Sequence, residues 1–260
     1  MNKIIAFFIP LFLLSCTKVI ELDIQTGSRK YVIQGEITNQ APPYYIEVST
    51  NAPLADKAAA EQIKNALVII SDNTGVVDTL FNLNNGKYQT NKIVGKEGVV
   101  YTLKVNINDT IYSATSVMPT IIPMDSLVIN KAVGFREDFM NIVPSYQDAE
   151  GEANYYRFKA YRGDSLVVKN ILFTDELSNG KRNSRPFFME LKNDDSLTVA
   201  MRALNYDAYR YFFGVNQITP GGQSQSATPT NPISNISGGV LGFFSANTLE
   251  VIKMKMKIVK

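Results

Sequence analysis

The only cysteine of the chain, Cys16, closes the stretch FLLSC. Ahead of it lie one positive charge at Lys3, an apolar run from Ile4 to Leu14 and the small Ser15. That layout is a secretory signal over residues 1–15. LLSC also fits the bacterial pattern in which the thiol becomes a diacylglyceryl thioether and the chain is cut in front of the cysteine. The apolar run is too short to span a bilayer, which takes about 20 such residues. Cys16 is therefore expected to be the lipidated first residue of the mature chain. Each buried acyl CH₂ contributes about 0.8 kcal/mol, so several chains on one cysteine hold a soluble domain at a membrane. Acylation also removes the only thiol, and with it disulfides and cysteine-bound metal. Thr17, where an aspartate would favour inner-membrane retention, makes the cell outer membrane the expected location, on its periplasmic or surface face.

Histidine is absent from all 260 residues. Ser-His-Asp and Cys-His nucleophile systems and the usual zinc sites go with it. What remains for acid-base or hard-cation chemistry is carboxylate, chiefly Asp148, Glu150 and Glu152 in QDAEGEAN and the pair Asp194 and Asp195. The first group misses the spacing of a calcium loop and reads as a solvated turn. No P-loop, dinucleotide fingerprint, nucleophile elbow or zinc-protease pattern occurs. The expectation is no catalytic residue, no cofactor and no metal. With 26 basic against 24 acidic side chains and no basic block, nucleic acid is not an expected partner. One further group has spacing with meaning: Tyr206, Tyr209, Phe212 and Phe213 recur at three and four residues in NYDAYRYFFGVNQI. They read first as core packing and second as a possible ligand or partner surface.

The elements that must position these residues are mostly strands. From Tyr31, short alternating apolar runs are broken by Asn-Gly, Asn-Asp and Gly turns, the pattern of antiparallel sheet. Residues 30–118 read as one immunoglobulin-like or transthyretin-like antiparallel sandwich of about seven strands, on a tether over residues 16–29. Pro119 and Pro123 break the rhythm, and residues 119–260 read as a second antiparallel β domain. Its one helix is expected near 205–218, with Asn205 as N-cap and Asp207 favouring the N-terminal end. Residues 219–232 are polar and rich in Gly and Pro, a loop in expectation. The closing EVIKMKMKIVK alternates Ile252, Met254, Met256 and Ile258 against Lys253, Lys255 and Lys257, a last strand with a lysine face.

Taken in order, CTKVIELDI, YVIQGEIT, ALVIISDNTG, NGKYQT, GVVYTLKV, DAEGEANYYRFK and NPISNISGGVLGFFSANT resemble the domain-of-unknown-function 4249 family of Bacteroidota lipoproteins. The resemblance covers nearly the whole mature chain and implies no catalytic residue. It implies an outer-membrane lipoprotein that accompanies a TonB-dependent receptor. The expected function is a non-catalytic binding or accessory module in nutrient uptake, and the alternative is a structural or adhesive surface lipoprotein. A binding module should present aromatic side chains in a concavity, whereas a spacer should bury them beneath flat polar faces.

Overall fold

A computed structural model describes residues 29–52, 59–132, 134, 138–219 and 231–257. Cys16, the leader, Ile258 and most of the polar loop lie outside the described residues. The chain is mainly β. Its first strands are β1 (Tyr31–Thr38), β2 (Tyr45–Thr50), β3 (Leu67–Asp72), β4 (Val77–Thr79), β5 (Phe81–Asn82), β6 (Lys87–Gln89), β7 (Val100–Ile107) and β8 (Thr110–Val117). Then come β9 (Met124–Lys131), β10 (Phe139–Gln147), β11 (Tyr155–Arg162), β12 (Ser165–Thr174), β13 (Arg182–Ser184), β14 (Phe187–Glu190) and β15 (Ser196–Leu204). Helix α1 (Tyr206–Ile218) and the long strand β16 (Leu241–Lys255) are the last elements among the described residues.

The hairpins follow from local turn chemistry. Asn108 and Asp109 take φ of 48° and 63° between β7 and β8, which short polar side chains tolerate and which matches the twist of the flanking strands. The run VVDTLFNL, a single strand by its pattern, divides at Leu80: β4 pairs with β3 and β5 pairs with β6, in different sheets. Buried Leu80 fills the corner between them.

Eight strands form one sheet in the order β12-β11-β15-β16-β1-β2-β6-β5, and two 4-stranded sheets accompany it. One of these is β4-β3-β7-β8, and the other holds β13, β10 and β14 with β9 paired to β10. Both pack on the same face of the large sheet. Ile33 and Ile37 of β1 and Phe244 and Ala246 of β16 enter one core with Val68, Ile70, Leu103 and Val105. Tyr156 and Phe158 of β11 and Leu197, Val199 and Met201 of β15 enter the second core with Met140, Ile142 and Tyr146. Val199 pairs with Ile252, which shares the parity of Phe244 and Ala246 along β16, so the alternation puts both cores on one side.

This arrangement corrects the expected division at residue 118. Residues 231–247 do not belong to the second half alone, because Ile236, Val240, Phe244 and Ala246 fill the first core. The pairing is antiparallel as expected, except that β16 runs parallel to β1, from Val32 opposite Leu241 to Thr38 opposite Asn247. It then runs antiparallel to β15 from Thr248 onward. Being covered on both faces, its first half reads as a continuous buried run rather than an alternating one.

Where β16 has β1 on one side and no strand yet on the other, side chains satisfy its free edge. Asn235 Nδ2 donates to the Phe244 carbonyl at 2.7 Å, and the Phe244 amide donates to Asn235 Oδ1 at 3.0 Å. The Ala246 amide donates to Ser116 Oγ at 2.7 Å. These bonds give NPISNISGG its structural reason, since a buried strand edge must find partners.

Candidate functional site

The face of the large sheet opposite the two cores carries α1 and a cluster of charge. Asn205 caps the helix, its Oδ1 accepting from the Ala208 amide at 2.9 Å. Its Nδ2 donates to Ser116 Oγ at 2.7 Å, tying the helix start to β8. Ala208, Tyr211 and Phe212 form the buried stripe and meet Leu204 and Phe243 in a third, smaller core. Tyr211 and Phe212 place their ring centroids 4.7 and 4.8 Å from that of Phe243.

The four aromatic residues singled out from the sequence therefore separate. Phe212 is core. Tyr206 and Phe213 are 54% and 48% exposed, and Tyr209 is half-buried between them. Tyr155 of β11 stacks 4.9 Å from Tyr209 and 5.4 Å from Tyr206. Positions 206, 209 and 213 share one helix face, while 208, 211, 212 and 215 share another, so one apparent stripe was two.

Beside the helix, a groove of about 1370 Å³ opens along the sheet. Its lining includes Glu36 of β1, Arg157 and Lys159 of β11, Tyr45 of β2, and Tyr211 and Phe212 of α1. Arg202 of β15 stands beside this lining on the same face. Arg157 Nη1 lies 3.2 Å from Glu36 Oε1, and its Nε donates to Asn170 Oδ1 at 2.8 Å. The Arg157 guanidinium carbon sits 3.4 Å from the centroid of the Phe212 ring, a cation–π contact strengthened by burial. Arg202 Nε is 3.6 Å from Glu36 Oε2, an ion pair too long for a hydrogen bond. Arg202 Nε and Nη1 are buried with no hydrogen-bond partner among the described residues. The Lys159 ammonium makes no hydrogen bond or ion pair with any described residue.

Three cations thus share one carboxylate. Burial works to raise the Glu36 carboxyl, but Arg202, Arg157 and Lys159 outweigh it and hold the group below the ordinary carboxylate range. Burial pulls the Lys159 ammonium down to about 8, with Arg157 and Arg202 adding to the effect and Glu36 opposing it. Arg157, also lowered mainly by burial, comes to about 10. Lys159 is consequently a cation held where it opposes folding. Below about pH 8 it is protonated in the folded and unfolded chains alike and contributes no pH slope. Between about 8 and the ordinary 10.5 the unfolded chain binds more proton, so stability rises with pH. Lys159→Met is expected to stabilise the chain at neutral pH by about 1 kcal/mol and to flatten that alkaline rise. Urea denaturation of both proteins near neutral pH and near pH 10 checks it.

Glu150, Glu152 and Asp194 are exposed, whereas Asp148 and Asp195 have structural tasks. Asp148 is not solvated but buried, accepting from the Tyr156 hydroxyl and from the Gly180 amide at 2.9 Å. Asp195 Oδ2 accepts from the Lys192 amide at 2.7 Å, closing the turn before β15. Among the described residues, no three His, Cys, Asp or Glu side chains gather to hold a metal ion. Glu36, Arg157, Lys159 and Arg202 escape sequence reasoning because each alternates with apolar residues in its own strand. Arg157 and Lys159 look like any solvated strand face until the helix arrives some 50 residues later. Only the resulting long-range neighbourhood distinguishes them.

Comparison with known proteins adds one decisive match. The family described as "Domain of unknown function (DUF4249)" matches residues 17–250. The chain belongs to that family. No curated protein sequence matches this DUF4249 chain. Solved structures similar to it include a cytokine receptor complex, at 9% identity over 68% of this chain and 85% of that one, with TM-score 0.25. Another is a two-fibronectin-type-III-domain segment from chicken tenascin, at 8% identity over 89% of this chain and 100% of that one, also with TM-score 0.25.

Proposed function

We propose that the chain is a lipid-anchored lipoprotein of the outer membrane and a non-catalytic binding module that accompanies a TonB-dependent receptor in nutrient uptake. The observation that carries the binding half is the groove of about 1370 Å³, walled by aromatic rings and floored by an incompletely compensated charge cluster. A spacer has no use for Lys159 at a position where it opposes folding. Binding sites commonly retain such groups at a cost in stability. The lipobox ending in Cys16 supports the anchor, and the family resemblance supports the receptor. Among the described residues no helix is long and apolar enough to cross a membrane, which says nothing of a β-barrel.

Cys16→Ala is expected to abolish incorporation of labelled fatty acid and to move the protein from the membrane to the soluble fraction. An unchanged membrane fraction would contradict the anchor. The receptor half is tested by crosslinking in native envelopes and purifying a tagged full-length copy. A TonB-dependent receptor in stoichiometric yield is expected. Recovery of only the lipoprotein, or of other surface proteins, would contradict it and favour a structural or adhesive role.

A further inference from the structure

The groove floor specifies the chemistry of what it takes. Glu36 balances one of the three charges of Arg157, Arg202 and Lys159, leaving an excess of two positive charges in a cluster of which Glu36, Arg157 and Lys159 line the groove and Arg202 stands beside it. Unlike the arginines, the Lys159 ammonium makes no direct hydrogen bond or ion pair with Glu36 or any other described residue, and it lines the groove. Of the other carboxylates lining the groove, Glu47 is already committed to Lys87 at 2.8 Å, and Glu176 is matched by the lining cations Lys169 and Arg185. Arg202 has two buried nitrogens without hydrogen-bond acceptors, and buried donors of that kind are ordinarily satisfied. Tyr45, 43% exposed, supplies apolar area beside the charge, and Tyr211 and Phe212 add the edges they leave uncovered in the groove wall.

We infer that the groove binds a small organic oxyanion, whose carboxylate or phosphate sits on Lys159 beside the Arg157–Glu36–Arg202 cluster while its apolar body lies against Tyr45, Tyr211 and Phe212. The anion neutralises part of the excess charge. In this low-dielectric setting its ionic hydrogen bonds are stronger than they would be in water. The aromatic walls give affinity to an apolar body that a bare inorganic anion lacks. This inference deepens the binding-module reading and rests on it.

The test is calorimetric titration of the full-length chain with benzoate, phenyl phosphate and inorganic phosphate, and with benzylammonium as the opposite charge. Benzoate or phenyl phosphate should bind, with the preferred one distinguishing a carboxylate from a phosphate ligand, and benzylammonium should not. Lys159→Met should weaken the preferred anion by about tenfold or more, although it folds at least as stably. Lys159→Arg, which keeps the charge, should stay within about threefold of the wild type, and Lys104→Met on distant β7 should leave affinity unchanged. Equal affinity in Lys159→Met, binding of benzylammonium comparable to that of the anions, or no heat with any anion would overturn the inference. Inorganic phosphate binding as tightly as phenyl phosphate would overturn the role of the walls. Loss of anion binding with the receptor still co-purifying sinks this inference alone, and anion binding without a receptor sinks only the transporter reading.

Discussion

Glu36→Gln is expected to destabilise the chain by about 3 kcal/mol, lowering Tm by about 6–12 °C for a chain of this size. The substitution keeps the shape of the side chain and removes the one negative charge shared by Arg157, Arg202 and Lys159. Arg157 is 7% exposed, so the abandoned guanidinium cannot recover full hydration, and removing one partner from a buried ionic cluster is the costly direction. The folded-state carboxyl lies below its ordinary 4.5, so its contribution is present above that value and is lost as pH falls through the folded pKa. The difference between wild type and variant should therefore shrink in acid. Adding Lys159→Met to Glu36→Gln should recover part of the loss, because the two side chains share one cluster and their effects couple. Additive effects would mean that the four groups do not act as a unit.

Gly242→Ala is expected to cost about 3 kcal/mol or more and to lower refolding yield. Gly242 stands at φ +98°, and an added Cβ would lie 2.0 Å from the carbonyl oxygen of Ile33 and 2.8 Å from its carbonyl carbon. Both are backbone atoms of the parallel partner strand, so no rotamer change relieves the clash. The ladder from Val32 to Thr38 must then shift, and with it the pairing that brings the C-terminal strand into the first core. Gly75 offers the comparison. It has φ +100° with nothing within 4 Å of an added Cβ, so Gly75→Ala should cost only about 1–2 kcal/mol of backbone strain. Equal losses at the two positions, measured by chemical denaturation, would mean that β1 and β16 do not approach so closely.

The hairpins and the helix were legible because their causes are local. Asn108 and Asp109 mark their turn by type, and Asn205 marks the helix by the bond its side chain makes to Ala208 three residues on. The parallel union of β1 and β16 was not legible, since some 200 residues separate Val32 from Leu241 and no turn joins them. The early half of β16, FFSANT, gave no alternation because one face meets the sandwich core and the other carries α1. The charge cluster was hidden for a related reason: its members come from β1, β11 and β15, and burial of each depends on elements distant in the chain. Asp148 shows the converse, a residue placed in a solvated turn by its acidic neighbours yet buried against Tyr156.

Whether the groove is the working face in the cell is tested most directly by amine-reactive footprinting. Labelling of Lys159 is compared with that of Lys104, an exposed side chain on β7, in intact envelopes and in the purified full-length chain. Lys159 labelling is expected to fall several-fold relative to Lys104 in the envelope and to return on purification. The same ratio in both settings would contradict a binding role for this face.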